Sequence, residues 1–195
     1  NGKIKYIDNI IKFTGKGTLK LKDLASEIYK EMDGIFDPEI DYPYFKSGSI
    51  NTYDNNHIYH HKGTFIMNDN KPLLHDKNGI VELFDLNKIK LMMYSGCINN
   101  NLYQGNGSLK YYDNNIVNES YEGEFENGMF QSGTYTKFNK NNNATYTGKV
   151  IYIENKMKFT GTGIYKEYSN NIHRTYDGIF DEKINCYPYF SSGKK

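Results

Sequence analysis

The sequence is poor in several residue types, and each scarcity excludes a class of protein. Its 195 residues include no tryptophan, one arginine and two alanines, and scarce alanine disfavours helix. No segment approaches the roughly 20 consecutive apolar residues of a membrane-spanning helix. The 24 basic and 23 acidic residues give a net charge of +1, without the basic excess that displaces counterions from phosphates. We therefore expect no nucleic acid among the partners.

Cysteine is scarce as well. Cys97 and Cys186 stand far apart, without the spacing of a metal or redox motif, so we expect reduced thiols in the cytoplasm. The chain does not begin with methionine and carries no signal-peptide pattern. We therefore expect a fragment of a longer repeat array or of a larger protein.

Aromatic residues and asparagine, in contrast, are abundant. The chain has 19 tyrosines and 11 phenylalanines, whereas disordered chains are poor in aromatics, so we predict a folded domain. Its 25 asparagines, 20 isoleucines and 23 lysines have AT-rich codons, so the asparagine runs need no functional interpretation. Tyrosine, isoleucine, threonine and glycine together favour strands joined by turns.

About the first fifty residues recur as the last fifty, which makes the chain internally repetitive. Residues 2–17, GKIKYIDNIIKFTGKG, match residues 148–163, GKVIYIENKMKFTGTG, without a gap. Further along, the segments DGIFD and YPYF each return about 145 residues later.

A shorter period, marked by glycine, runs through the whole chain. One anchor is an aromatic residue, any residue, glycine, any residue and a large apolar residue, as in YEGEF at 121–125. A second anchor, often Gly-x-Gly, alternates with the first, and the next anchor glycine follows it after 15 to 17 residues. Two glycine-marked strands joined by a variable turn describe one β-hairpin per repeat.

Strand periodicity predicts which side chains share a face. In an extended strand Tyr121, Gly123 and Phe125 point to one face, and the glycine leaves a gap that an aromatic ring of a neighbouring hairpin can fill. One hairpin alone is marginally stable, so the units should stack edge to edge. We predict an all-β fold, an elongated single antiparallel sheet of about seven consecutive hairpins, forming one repeat domain over residues 1–195.

One segment allows a different interpretation. Residues 21–28 could form a short amphipathic helix. Their counterpart, residues 165–172, is typical of strand, turn and strand. Because two copies of a repeat should share a fold, we predict strand–loop–strand in both.

These patterns resemble the MORN repeat (membrane occupation and recognition nexus). The family's unit is similar to Y-x-G-x-[W/F]-x-x-G followed by G-x-G and a turn, and residues 121–128, YEGEFENG, match it best. The resemblance covers nearly the whole chain, although no tryptophan stands at the fifth position and the spacing exceeds the family's usual length. It implies a single twisted sheet of hairpins with an aromatic-lined groove along one side.

The resemblance also implies a functional class. Such repeats look like binding or scaffolding parts of membrane junctions, cytoskeletal cortices and ciliary structures. We therefore expect a non-catalytic scaffold that binds protein, either a helix or a second copy of the chain. Its expected location is cytoplasmic, with the cortical, cytoskeletal or peripheral membrane association that the family suggests.

Two alternatives stay open. The chain could be the regulatory or targeting region of a larger enzyme, such as a lipid kinase or a lysine methyltransferase. It could also be a module that binds phospholipid surfaces, which needs several basic residues close together. Lysine is scattered along this sequence, and no basic cluster stands out.

The anchor residues supply the candidate site, because tyrosine and phenylalanine are enriched at protein interfaces. They could instead form only the core. The predicted partner-binding groove consists of Phe36, Phe65, Tyr94, Tyr121, Phe125, Tyr146, Tyr176 and Phe180. The predicted structural glycines are Gly34, Gly63, Gly96, Gly123, Gly148 and Gly178.

Other patterns do not favour catalysis or a cofactor. His57, His60 and His61 cluster, but no cysteine or acidic residue has the spacing of a shared metal site. The Gly-x-Gly motifs lack the Lys-Ser/Thr of a P-loop. We expect no metal, no cofactor and no enzymatic activity.

A run of glutamates could be an acid/base pair or a site for a basic partner. We interpret their alternation along one strand as a solvated outer face. The run consists of Glu119, Glu122, Glu124 and Glu126.

Overall fold

The computed structural model describes residues 2–7, 10–22, 28–138, 142–169 and 172–195. Every regular element among these residues is a β-strand, and the strands belong to one open antiparallel sheet. The prediction of an all-β fold built on a single antiparallel sheet is therefore confirmed. The described part of the chain contains no helix that is long and apolar enough to span a membrane.

The chain divides into two compact units, Asn1–Tyr103 and Gln104–Lys195. The strands of unit 1 are β1 (Lys3–Ile7), β2 (Ile10–Lys22), β3 (Tyr29–Phe36), β4 (Phe45–Tyr53), β5 (His57–Asn68), β6 (Lys71–Leu74), β7 (Asp76–Asp85) and β8 (Lys90–Asn99). The strands of unit 2 are β9 (Leu102–Asp113), whose first two residues still belong to unit 1, β10 (Ile116–Glu126), β11 (Met129–Phe138), β12 (Asn142–Ile153), β13 (Lys156–Ser169), β14 (Ile172–Phe180) and β15 (Phe190–Lys194). Neighbours in the sheet follow chain order, except that β5 pairs with β7 as well as with the short β6.

The glycine anchors fix the register of these strands. Gly34 of β3 lies opposite Gly17 on one side and opposite Gly48 on the other. The six glycine pairs expected from the spacing lie directly opposite each other, at Gly17 and Gly34, Gly48 and Gly63, Gly79 and Gly96, Gly107 and Gly123, Gly133 and Gly148, and Gly163 and Gly178. Spacing along the sequence therefore predicted pairing across the sheet.

The gaps beside these glycines are filled by backbone at some positions and by side chains at others. A Cβ added at Gly34 would overlap the Ser47 carbonyl oxygen and lie 2.8 Å from the Gly48 Cα, so backbone fills that gap. A Cβ added at Gly148 would overlap the Tyr146 ring instead, its Cζ being 2.7 Å away. At Gly148 the ring thus belongs to the same strand as the glycine. At Gly163 on β13 the same Tyr146 ring fills the gap, with its Cε2 2.8 Å from an added Cβ, and here the ring does come from the neighbouring predicted hairpin.

Two Tyr-x-Gly anchors, one in each unit, hold their tyrosine in the same way. In unit 1 the ring of Tyr94 stacks on Tyr103 with centroids 3.7 Å apart, and its hydroxyl donates to the Cys97 carbonyl at 2.9 Å. In unit 2 the ring of Tyr146 stacks on Phe159 at 3.9 Å. Its hydroxyl also donates to the carbonyl three residues on, at 3.2 Å. The glycine leaves room for the ring to lie along its own strand.

Asparagine has a structural use that composition alone did not indicate. Two-residue turns in which both residues have positive φ connect several neighbouring strands. Asn, Asp and Gly tolerate this left-handed region, and such turns match the twist of a hairpin. These turns are Asp69-Asn70, Asn100-Asn101, Asn114-Asn115, Asn127-Gly128 and Glu154-Asn155.

The two copies of the long repeat form the same contacts. Lys12 donates to the Pro38 carbonyl at 2.8 Å and lies over the ring of Tyr44. Its counterpart Lys158 donates to the Glu182 carbonyl at 2.8 Å and lies over Tyr189. The sequence repeat is therefore also a structural repeat.

Strands flank the segment whose structure was ambiguous from sequence. In the first copy β2 ends at Lys22 and β3 begins at Tyr29, and in the second β13 ends at Ser169 and β14 begins at Ile172. The connecting residues 23–27 and 170–171 lie outside the described residues, so the predicted loops stay predictions.

Candidate binding cleft

A row of tyrosines crosses unit 2 next to the row of glycines. Each member lies directly opposite the next on the neighbouring strand, and strand alternation places all of them on the glycine face. The row consists of Tyr121, Tyr135, Tyr146, Tyr165 and Tyr176 on β10 to β14. Cross-strand aromatic pairs of this kind stabilise a sheet by roughly 0.2–1 kcal/mol each.

A second row, of mostly polar residues, lies on the same face, and each of its members is two residues away from a tyrosine of the first row. Charges of both signs flank the small side chain of Ala144, and the Arg174 guanidinium lies 3.9 Å from the Glu167 carboxylate. The members of this row, again in direct register, are Glu119, Lys137, Ala144, Glu167 and Arg174.

Where these rows meet, the sheet forms an open cleft of about 410 Å³. We call it the tyrosine–glutamate cleft and define it by Glu119, Tyr121, Tyr135, Tyr165, Glu167 and Tyr187. Lys137, Asn143, Ala144, Met157 and Phe159 complete its lining.

Glu119 organises one end of the cleft. Its Oε1 accepts hydrogen bonds from the hydroxyls of Tyr121 at 3.0 Å and Tyr135 at 2.8 Å. Burial and the adjacent Glu119 carboxylate raise the pKa of both tyrosines above its ordinary value. Both hydroxyls therefore stay protonated and keep donating to this carboxylate. Among the described residues, no cation lies within 4 Å of Glu119.

Tyr187 closes the other end from the loop between β14 and β15. Its ring packs against Phe159 at a centroid distance of 5.6 Å and against Tyr165 at 5.5 Å, while 52% of the residue remains exposed. Burial and a hydrogen bond with Tyr187 raise the pKa of Tyr165. The cleft thus presents neutral tyrosine surfaces beside carboxylates.

The predicted groove residues fall into two groups. Six of the eight are buried, and these are Phe36, Phe65, Tyr94, Phe125, Tyr146 and Phe180. Tyr121 and Tyr176 are half-buried, and Tyr121 lines the cleft. The structure therefore places most of the predicted groove in the core of its unit, and a partner-binding role for these eight residues stays a prediction.

Sequence reasoning missed five of the six residues that define the cleft, including Glu167 on β13. Tyr135 and Tyr165 each follow an anchor glycine by two residues, so the second anchor carried a readable signal, Gly-x-Tyr. Glu119 precedes Tyr121 by two residues and shares its face, so the interpretation of this glutamate as part of a solvated outer face is wrong. Tyr187 lies in a loop whose path strand periodicity does not determine.

In the described part of unit 1 the same sheet positions carry mostly apolar side chains. The row that corresponds to the tyrosines consists of Leu19, Met32, Ile50, His61, Val81 and Tyr94. The two units thus share a scaffold and differ in the chemistry of one face.

Within the histidine cluster, His61 belongs to this row, whereas His60 points to the opposite face and lies opposite Glu82. The Nδ1 of His60 is 2.6 Å from the Asn51 Oδ1, and His61 lies opposite Ile50 and Val81. The described residues contain no group of three or more His, Cys, Asp or Glu side chains that could hold a metal ion. Burial lowers the pKa of both His60 and His61.

These lowered values predict acid destabilisation. The ordinary histidine pKa is about 6.5, so below that pH the unfolded chain binds protons that the folded chain takes up less readily. Stability should be complete above about pH 6.5 and fall as the pH drops. We expect the urea midpoint of unfolding to decrease between pH 7.5 and 5.5, and to decrease less in a His61→Tyr variant. Equal decreases in both chains would contradict this assignment.

No protein-family model matches the chain, and no curated protein sequence matches it either. The resemblance to the MORN repeat consequently stays a prediction that rests on the anchor residues and their spacing.

Proposed function

We propose that this chain is a non-catalytic repeat scaffold that binds a protein partner in the tyrosine–glutamate cleft. The observation that carries the proposal is the hydrogen-bonded Glu119 carboxylate on a floor of tyrosine rings. Tyrosine offers large contact area at low entropic cost, which favours protein recognition.

The cleft also favours one chemistry in the partner. The Glu119 carboxylate accepts hydrogen bonds from the hydroxyls of two neutral tyrosines, Tyr121 and Tyr135. Among the described residues it has no cation within 4 Å. Ala144, the smallest side chain of the polar row, leaves space between Lys137 and Glu167. A lysine or arginine of a partner can enter there, bind the carboxylate and lie over a tyrosine ring.

Selection of peptides that bind the intact chain tests this function, because the residues shared by the selected peptides show which chemistry the cleft prefers. Peptides selected from a random library on the intact chain should carry a basic residue beside an apolar or aromatic one. Calorimetry with a selected peptide should show roughly tenfold weaker binding to a Glu119→Gln variant, because a charge-assisted hydrogen bond is lost.

Glu122→Gln is the matched control. Glu122 lies on β10 as well, with its side chain 59% exposed and within 3.8 Å of Lys110. Its replacement should leave the affinity unchanged. Equal affinities for wild type and both variants, or a selection that enriches no peptide over an unrelated protein, would remove the cleft as the binding site.

A further inference from the structure

Aromatic rings from three separate elements line the tyrosine–glutamate cleft. Tyr121 and Tyr135 lie side by side on the sheet face, with ring centroids 5.0 Å apart. Phe159 lies on β13, beyond the irregularity in the pairing of β12 with β13, and its ring packs against Tyr135 at 6.2 Å. Tyr187 comes from the loop between β14 and β15. The cleft is therefore a concave site with rings on several sides, and not one flat row of rings.

The rings at one end of the cleft stand at steep angles to each other. Tyr187 meets Tyr165 at an interplanar angle of 86° with centroids 5.5 Å apart, and it meets Phe159 at 51° and 5.6 Å. Because Tyr187 is 52% exposed, its ring offers surface to a ligand. A cation is attracted to the face of an aromatic ring within about 6 Å of its centroid, and several rings around one site suit methylated ammonium groups.

The hydrogen-bonding groups of the cleft are already largely paired with one another. The hydroxyls of Tyr121 and Tyr135 both donate to the Oε1 of Glu119, and Tyr165 and Tyr187 form a hydrogen bond. An unmodified lysine side chain ends in a strongly hydrated ammonium with three N–H donors. Burying that group costs free energy unless the three donors find acceptors, and this cleft offers few.

One acceptor and one uncompensated charge remain at Glu119. Both tyrosine hydroxyls donate to its Oε1, which leaves Oε2 for a further donor. Glu167, the other carboxylate of the cleft, has the Arg174 guanidinium 3.9 Å away. Lys137 lies opposite Glu119 in the sheet, yet no ammonium lies within 4 Å of this carboxylate among the described residues. The cleft thus suits a cation with a single N–H donor and an otherwise apolar surface.

We propose that the tyrosine–glutamate cleft binds a methylated lysine side chain of the protein partner, and that dimethyl-lysine is the preferred form. The one N–H of the dimethylammonium group donates to the Oε2 of Glu119, and the two methyl groups lie against the rings of Tyr121 and Tyr187. Methylation keeps the positive charge of lysine, so the attraction to Glu119 and to the rings is retained. The inference rests on the proposed function, because it names the group that the partner inserts into the cleft.

Charge favours a lysine side chain over the choline headgroup of a lipid, which carries a methylated ammonium as well. The quaternary ammonium of choline has no N–H to donate to Glu119. The phosphate that follows it in a phospholipid would lie near the carboxylates of Glu119 and Glu167, and like charges at such separations repel. A protein segment carries no such phosphate.

The probes are four forms of Nα-acetyl-lysine methylamide, whose side-chain nitrogen carries zero, one, two or three methyl groups. In NMR titrations of the isotope-labelled intact chain, the dimethyl form should cause saturable shifts at Tyr121, Tyr135 and Tyr187. The unmodified form should bind roughly tenfold more weakly, because its hydrated ammonium loses more than the cleft replaces. The trimethyl form should bind roughly threefold more weakly, because it has no N–H for Glu119.

Two matched variants test whether the rings provide the selectivity. Tyr187→Leu keeps an apolar side chain and removes an aromatic face, so the preference for the dimethyl form over the unmodified form should fall to about twofold. Tyr42→Leu is the control, because Tyr42 is the counterpart of Tyr187 in the first copy of the long repeat and is 44% exposed. This control should leave all four affinities unchanged. Melting temperatures show whether both variants are folded.

A second arm uses a peptide selected on the intact chain, with each of the four forms placed at its basic position and binding measured by calorimetry. Equal binding of the four forms in both arms, or tightest binding of the unmodified form, would overturn the inference. The proposed function would then still stand if the selected peptide loses affinity in Glu119→Gln. A preference for the dimethyl form that persists in Tyr187→Leu would overturn the assignment to the rings. Tighter binding of phosphocholine than of the dimethyl form would make a lipid headgroup the ligand and overturn both proposals.

Discussion

Replacing Gly34 by alanine is expected to lower the free energy of unfolding by about 3 kcal/mol, because the new methyl group has no space. Its Cβ would overlap the Ser47 carbonyl oxygen and lie 2.8 Å from the Gly48 Cα, so backbone must move. Gly48 lies directly opposite Gly34 on β4, and separating the two strands disrupts their hydrogen bonds. Urea unfolding followed by circular dichroism measures the loss.

Gly15→Ala is the control that distinguishes the cost of a steric overlap with the neighbouring strand from the cost of a left-handed backbone conformation. Gly15 lies on the neighbouring strand β2, with φ at 74° and nothing within 4 Å of an added Cβ. Only the left-handed conformation is penalised there, by about 1–2 kcal/mol. A Gly34→Ala chain as stable as the wild type, or less affected than Gly15→Ala, would show that the two strands do not depend on their glycine contact.

The register of the sheet was predictable because close approach of two backbones leaves a trace in the sequence. Only glycine fits where Gly34 faces Gly48, so positions of glycine mark positions of pairing. Turns with two positive φ values favour asparagine, as at Asn100 and Asn101. This signal was not recognised in the sequence, because we attributed the many asparagines to AT-rich codons. Such local constraints act residue by residue, and a single sequence therefore reports them.

The candidate site was less predictable, because it depends on what covers each ring. Met32 and Tyr121 occupy the same position of their anchors, yet Met32 is buried whereas Tyr121 stays half-buried beside Glu119. Periodicity assigns a side chain to a face and does not say whether a loop folds over it. The position of Tyr187 depends on such a loop.

The second large effect is expected for Tyr146→Ala, which should destabilise the chain by about 3–5 kcal/mol, as other large-to-small aromatic replacements in a core do. The ring is fully buried, stacks on Phe159 and fills the gap beside Gly148. Removing it leaves a cavity between Gly148, Phe159 and Phe180. Thermal and urea unfolding measure the cost.

Two further variants divide that cost into its parts. Tyr146→Phe keeps the ring and loses the hydroxyl that donates to Lys149 and Thr160, so about 0.5–1.5 kcal/mol should be lost. Tyr6→Ala, at a residue that is 73% exposed, should change stability by no more than about 0.5 kcal/mol. If Tyr146→Ala costs no more than Tyr6→Ala, filling of the gap by the ring does not stabilise the repeat. If it costs several times more than Tyr146→Phe, the ring itself, and not its hydroxyl, supplies most of the stabilisation.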